Sequence, residues 1–389
     1  MSLSDEIARQ AEPSLSKKAV MGRIADLLTA NGIDIDEVGA IKKVSLYQSV
    51  TKDNETGDAK VHDLLGVQIT PHWQEGPKWP VIQQGPAIRL PAPKAERKQT
   101  DWPNAVIIPD IQFGYFHNQQ GELEPIHDED AIAIALAITK DADPSLVVCV
   151  GDNLDLAEMS KYVTTPAYAQ TTQATIDRAT IFGAELRRAA PNAKIVWLAG
   201  NHEERLSRFL LQNASAAFGL RRGNLPDSWP VMSVPFLCRF DEPHIDIEYR
   251  PGYPASHVWV TEKLRVIHGD KVHSSGSTSH KYLNAEKVSV VYGHIHRREW
   301  AEVTRDDHDG PSTVLAASPG CLARIDGAVP STKGGVDLWG RPVQRWENWQ
   351  QGLAVIPHNT ETGMFAYEQI AIHHGWAMWR GKEYKAPRP

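Results

Sequence analysis

Cysteine is scarce in this chain. Cys149, Cys238 and Cys321 are spread over 389 residues, with no paired spacing that would mark a thiolate zinc site or a disulfide framework, so reduced thiols and a cytoplasmic setting are expected. No run of eighteen or so apolar residues occurs, and residues 1–19 are too polar for a secretory signal; neither a membrane span nor export is expected. The formal net charge is -7, without a long run of one sign. General attraction to nucleic acid is therefore missing, and such a partner would need a local basic patch. Internal repeats and low-complexity segments are also absent. With 41% hydrophobic and 23% charged residues, the composition is that of an ordinary globular protein, long enough for one large domain plus an accessory piece.

What the chain does have is a series of strand-length, β-branched-rich apolar runs at 105–109, 146–150, 194–198, 264–267 and 288–292. A short polar motif follows each one. In order these are Asp110-Ile111-Gln112, Gly151-Asp152-Asn153, Gly200-Asn201-His202-Glu203, His268-Gly269-Asp270 and Gly293-His294-Ile295-His296. Helical periodicity fills 128–140 and roughly 169–190, so the middle of the chain reads as a layered α/β core. In such a core the strand-end loops form one crevice in which residues distant in sequence converge. Singly, a Gly-Asp after a strand is a common turn and Gly-His-x-His could be a surface loop. As a set, all at strand exits and all rich in oxygen and nitrogen donors, they point to a centre for divalent first-row metals.

The set resembles the calcineurin-like metallophosphoesterases, whose pattern is Asp-x-His, Gly-Asp, Gly-Asn-His-Asp/Glu, a lone His and Gly-His-x-His. The resemblance spans about 105–320 and includes the turn Ser318-Pro319-Gly320-Cys321 after an apolar run at 312–317. It implies a four-layer α/β/β/α sandwich, here with a small α+β N-terminal extension. It also implies that Asp110, Gln112 and His296 hold one metal, that Asn201, His268 and His294 hold a second, and that Asp152 bridges both. Such a pair acidifies a shared water and neutralises phosphoryl charge during in-line displacement. His202 would donate a proton to the leaving oxygen, tuned by Asp152 or Glu203. The arrangement as a whole is similar to bacteriophage-encoded members of the family.

Gln112 departs from the pattern, standing where most members have histidine. An amide oxygen in place of an imidazole makes the first site harder and weaker, favouring Mn²⁺, with Mg²⁺, Zn²⁺ or iron as other occupants. An Asp-x-Gln variant also resembles the manganese-dependent ADP-ribose and CDP-alcohol diphosphatase branch, which suggests nucleotide substrates. The opposing reading is a degraded site; separately, His117 is a candidate second donor that would compensate for Gln112, or an inert loop residue. Gly200 to Arg205 matches the Gly-Asn-His-Glu-x-Arg form of the phosphoprotein phosphatases, in which the arginine holds substrate phosphate. That branch has a second arginine where this chain has Leu156. Arg205 is thus a candidate for substrate contact or for helix packing, Arg297 and Arg298 are further phosphate candidates, and the polar loop 273–280, with His273, could form a lid.

Residues 1–93 read as an accessory region with a helix at 15–30 and a hairpin of strands 44–50 and 60–67 around a turn at 53–57. It could bind DNA, pack on the core or mediate a homodimer. Residues 94–104 form a linker, 105–375 the catalytic domain and 376–389 a tail. Strands at 352–357 and 365–372 are expected to complete the second sheet, and Trp339, Trp346 and Trp349 are core or base-stacking candidates. The functional expectation is a two-metal phosphodiesterase acting on nucleotides or nucleic acid. The alternatives are a phosphomonoesterase or protein phosphatase, and a non-catalytic DNA- or virion-binding protein on the same fold.

Overall fold

The computed structural model describes residues 17–34, 38–52, 59–71, 102–161, 165–225, 228–274, 276–308, 310–330, 335–341, 343 and 346–387. The chain divides into two compact units, Met1–Ile88 and Arg89–Pro389. In the first, a helix spans Lys17–Ala30 and buries Ile24 and Leu28, one turn apart on one face. Two strands follow, β1 (Val38–Lys52) and β2 (Ala59–Pro71), paired antiparallel with Lys52 opposite Ala59. Both outrun the hairpin expected from the sequence; its turn at 53–57 and most of the linker at 94–104 lie outside the described residues.

The second unit opens with β3 (Asn104–Ile108) and a small hairpin of β4 (Tyr115–His117) and β5 (Leu123–Pro125). The helix Glu129–Ala142 leads to β6 (Leu146–Cys149), the helix Thr172–Ala189 to β7 (Lys194–Leu198), and the helix Glu203–Asn213 onward to β8 (Glu248–Arg250). After β9 (His257–Thr261) and β10 (Leu264–Ile267) come the helix Thr278–Ala285, β11 (Ser289–Tyr292), β12 (Arg298–Asp307) and β13 (Gly310–Pro319). The last strands are β14 (Gly352–Pro357), β15 (Glu368–His373), β16 (Trp376–Trp379) and β17 (Lys382–Lys385). They build an eight-stranded sheet in the order β17-β16-β15-β14-β3-β6-β7-β8 and a five-stranded sheet in the order β12-β13-β11-β10-β9.

Burial on both faces explains why the central strands read as unbroken apolar runs rather than alternating ones. From β3, β6 and β7, the side chains Val106, Ile108, Val147, Cys149, Ile195 and Trp197 meet the helices. The alternate residues Ala105, Ile107, Val148, Val196 and Leu198 meet Val258, Leu264, Val266 and Val291 of the other sheet. On the far side of that sheet, Tyr282 and Leu283 of the helix Thr278–Ala285 cover Val290, Tyr292 and Val314. The layers are therefore α/β/β/α. The helix Glu129–Ala142 starts where the Asp128 carboxylate accepts from Ala131 N at 3.0 Å and stops where Asp143 turns left-handed, φ 42°.

Two expectations are corrected here. The strands after residue 350 do not complete the second sheet: β14 pairs antiparallel with β3, inside the first. Residues 376–389, set apart as a tail, carry β16 and β17, which extend that same sheet and bury Ala377, Trp379 and Tyr384 in the core shared with the helix Glu129–Ala142. Tyr384 Oη also donates to Asp141 Oδ2 at 2.8 Å. Burial of two large aromatic rings outweighs what four-residue strands reveal through alternation. Among the described residues, no helix is long and apolar enough to cross a membrane.

Candidate metal centre

Every parallel strand near the middle of the two sheets ends in a donor. Asp110 and Gln112 follow β3, Asp152 follows β6, Asn201 and His202 follow β7, His268 follows β10, and His294 and His296 follow β11. Sharp turns bring them back over the strand ends: Asp110 (φ 33°), Gln112 (57°), Asp152 (47°), His294 (70°) and His296 (55°) all have positive φ. Non-glycine residues rarely adopt that region, at a cost of order 1 kcal/mol each, and such strain gathers where the surrounding structure enforces it for function.

The turns produce two groups. Asp152, His268 and His294 form one, and Asp110, Asp152 and His296 the other; within each, the ligand atoms all lie within 4.8 Å of one another, and Asp152 belongs to both. His268 Nε2 lies 3.3 Å from Asp152 Oδ2 and 3.3 Å from Asn201 Oδ1. His296 Nε2 lies 3.3 Å from Asp110 Oδ1 and 3.4 Å from the Gln112 amide nitrogen. Gln112 Oε1, His294 Nδ1 and His296 Nδ1 are buried without a hydrogen-bond partner. Buried polar atoms are seldom left this way, and unpaired oxygen and nitrogen atoms such as Gln112 Oε1 and His294 Nδ1, on residues beside buried carboxylates, suit divalent cations.

Supporting contacts fix the donors. His268 Nδ1 donates to Val150 O at 3.0 Å, so its Nε2 faces Asp152 and Asn201. Asp110 accepts from the His294 amide at 2.9 and 3.1 Å, and Asp152 Oδ1 from the His202 amide at 2.8 Å. Gly200 permits the close approach of the second and third motifs, because a Cβ there would overlap Asp152 Oδ1 and its backbone nitrogen. Beneath these loops lies Glu203, fully buried. One carboxylate oxygen accepts from Asp152 N (2.9 Å) and Gly200 N (2.8 Å), the other from Asn153 N (2.9 Å), Leu154 N (3.3 Å) and Trp197 Nε1 (3.2 Å). The sequence placed Glu203 beside His202; its contacts instead tie two motif loops together.

Electrostatics follow from burial and proximity. Burial alone would raise the Asp152 pKa, but His202, His268 and His294 hold it well below the usual carboxylate range. His268 would be lowered by burial, yet the Asp152 carboxylate pushes it up to about 9. Burial and the neighbouring His268 charge lower His294 to about 4, leaving its imidazole neutral at pH 7. For Glu203, burial and the Asp152 charge raise the pKa.

His202 sits beside this centre, with Nε2 3.7 Å from Asp152 Oδ2 and Nδ1 3.0 Å from Asp155 Oδ1. Arg205 Nη2 lies 2.9 Å from His202 Nε2, and Arg205 Nη1 donates to Asp155 O at 2.5 Å. Asp155 was absent from the sequence reading. Its signal was a second carboxylate three residues past Asp152, in Gly151-Asp152-Asn153-Leu154-Asp155. Leu156, where the phosphoprotein phosphatase pattern has arginine, is core.

Two of the remaining candidates, Arg297 and His273, are engaged elsewhere. Arg297 Nε lies 3.0 Å from Glu299 Oε1, and Nη2 donates to the His273 carbonyl at 2.9 Å. Arg297 and His273 thus meet each other, through the backbone of His273. Within the stretch 273–280, expected as a flexible lid, Gly276, Thr278 and Ser279 are tied down: Glu299 accepts from their amides at 3.2 to 3.3 Å, and the helix starts at Thr278. His117 is no compensating donor, since its ring nitrogens face Gly121 O and Ala169 O, both at 3.1 Å. Of the three tryptophans, Trp349 packs edge-on to His296, with ring centroids 4.2 Å apart. Trp339 and Trp346 are exposed.

The profile of one family, described as calcineurin-like phosphoesterase, matches residues 104–298, half of the chain, and that stretch contains all five motifs. No curated protein matches the chain.

Proposed function

Because the chain belongs to the calcineurin-like phosphoesterase family, we propose that it is a two-metal phosphodiesterase that hydrolyses nucleotide or nucleic-acid phosphodiesters, with Mn²⁺ as its preferred ion. The observation that carries this reading is the pair of ligand groups sharing Asp152. Asp110, Gln112 and His296 would hold one ion, Asn201, His268 and His294 the other, and Asp152 would bridge them. Bound divalent ions supply Lewis acidity and acidify water toward neutral pH. The chain's own contribution is to fix the donors from behind and to present His202, steadied by Asp155, as the proton donor to the leaving oxygen. The Gln112 amide oxygen in place of an imidazole supports Mn²⁺ over Zn²⁺.

The charge of the site supports a diester over a monoester. A monoester dianion calls for a fuller cationic clamp than a diester monoanion does. Here Leu156 replaces one arginine, and Arg205 shares its guanidinium with Asp155 and His202. The three free cysteines are all buried, which suits a reducing compartment such as the cytoplasm. The test is hydrolysis of bis-(p-nitrophenyl) phosphate and of p-nitrophenyl phosphate by metal-stripped protein refilled with Mn²⁺, Mg²⁺ or Zn²⁺. Manganese-dependent diesterase activity, abolished by Asp152→Asn, is the expected result. Metal binding without turnover of any ester would leave a binding protein on the same fold.

A further inference from the structure

Arg298 stands two residues beyond His296, at the start of β12, and differs from its neighbour in one respect. Arg297 has its guanidinium engaged by Glu299 and the His273 carbonyl. Arg298 is half-buried, yet its Nε is sealed from solvent without any hydrogen-bond partner, and the contact found is made by its backbone amide, which donates to Gln350 Oε1 at 3.2 Å. A guanidinium N–H sealed from water without an acceptor costs free energy, which an anion drawn to the rest of the guanidinium would offset.

The slot for this side chain is built. A Cβ on Gly320 would come 2.9 Å from Arg298 Cγ, and one on Gly352 would come 3.0 Å from Cδ, so two glycines make room for the stem. Tyr367, whose hydroxyl is buried, is near enough to act electrostatically on the Arg298 guanidinium, and its Oη can also donate a hydrogen bond. Gln350 links this spot to the metal centre, because its amide donates to His296 O at 2.9 Å while its side chain holds the Arg298 amide.

We propose that Arg298 anchors a second anion subsite, on the Asp110 and His296 side of the centre, that holds the phosphate adjacent to the scissile one. This rests on the phosphodiesterase reading and adds a substrate preference: nucleotide chains carrying a neighbouring phosphate are favoured over an isolated diester. Arg297 and Arg205 cannot supply that contact without giving up the partners they have.

The experiment compares dithymidylate with its 5′- and 3′-phosphorylated forms under two readouts. In the first, kcat and KM are measured with the Mn²⁺-loaded enzyme and with Arg298→Gln and Arg298→Lys. One phosphorylated form is expected to gain about tenfold in kcat/KM through KM, the scale of one charge-assisted hydrogen bond. Arg298→Gln should erase that gain, and Arg298→Lys should keep part of it. In the second, equilibrium binding of the same three ligands to Mn²⁺-loaded His202→Asn protein is followed with and without Arg298→Gln. A binding preference lost in Arg298→Gln, with no hydrolysis by the wild type, would overturn the phosphodiesterase reading and leave the subsite standing. No preference in either readout, or a preference that survives Arg298→Gln, would overturn the subsite. Equal losses on all three substrates, not restored by lysine, would mark Arg298 as structural and overturn it as well.

Discussion

Replacing Glu203 by glutamine removes one charge and one acceptor from the floor of the metal centre while conserving side-chain size. In the native arrangement Oε2 takes two amides, Asp152 N and Gly200 N, and Oε1 takes Asn153 N, Leu154 N and Trp197 Nε1. An amide group in place of either oxygen would confront at least two of these donors with another donor. A buried donor left unpaired costs about 1–3 kcal/mol, so two cost roughly 2–6 kcal/mol. Burial first and the Asp152 charge second raise the Glu203 pKa, so removing the carboxylate's charge offsets part of this. The net expectation is a loss of about 2–3 kcal/mol, read by denaturant unfolding of metal-stripped protein at pH 7. Because the affected amides belong to both motif loops, Mn²⁺ titration calorimetry should show both ions weakened together. Unchanged stability, within about 0.5 kcal/mol, with unchanged Mn²⁺ affinity would refute the reasoning.

Gln112→His should shift metal preference from Mn²⁺ toward Zn²⁺ by adding an imidazole to the first group; competition titration with the two ions reads the shift, and an unaltered order would count against Gln112 as a ligand. Metal affinity should rise with pH up to about 9 and then level, since below that value a proton on His268 must leave before a metal can bind. Calorimetry in buffers of different ionisation enthalpy should detect that proton at pH 7, and no proton release there would contradict it. Arg178→Ala should lower stability near pH 7 and flatten its acid dependence. Glu129, paired with Arg178 Nη2 at 2.7 Å, has its pKa held at about 2; burial opposes the shift, and the Arg178 and His127 hydrogen bonds produce it. This contribution is complete above the ordinary glutamate value and is lost as pH falls from about 4.5 to 2. With Glu129 nearly half exposed, the change should be only about 1 kcal/mol by urea titration at pH 7 and pH 3.

The loops of the candidate metal centre were legible as strand exits because parallel strands buried on both faces leave unbroken apolar runs, so each polar motif stands at a visible boundary. Gly151-Asp152 and Gly293-His294 are cases where the end of the run marks the turn. What was not legible depends on long-range pairing or on backbone donors. Nothing local to Gly352–Pro357 says that it will lie against Asn104–Ile108, some 250 residues earlier in the chain. A carboxylate such as Glu203, whose partners are main-chain amides about fifty positions away, looks in sequence like any acidic residue after a histidine. The polar stretch around Ser274 and Ser277 suggested mobility, because Glu299, which anchors it, belongs to a strand twenty residues further on.

The bent loops that carry Asp110, Asp152 and His294 are held by the protein's own amides and carboxylates, through Asp110 to the His294 amide and Glu203 to the Asp152 amide. Contacts of this kind hold the loops independently of any ion, so a chelator is expected to empty the centre without unfolding the chain. Occupancy would then be a matter of exchange throughout the protein's lifetime, set by which ions the surroundings supply at the time, instead of a choice sealed once during folding.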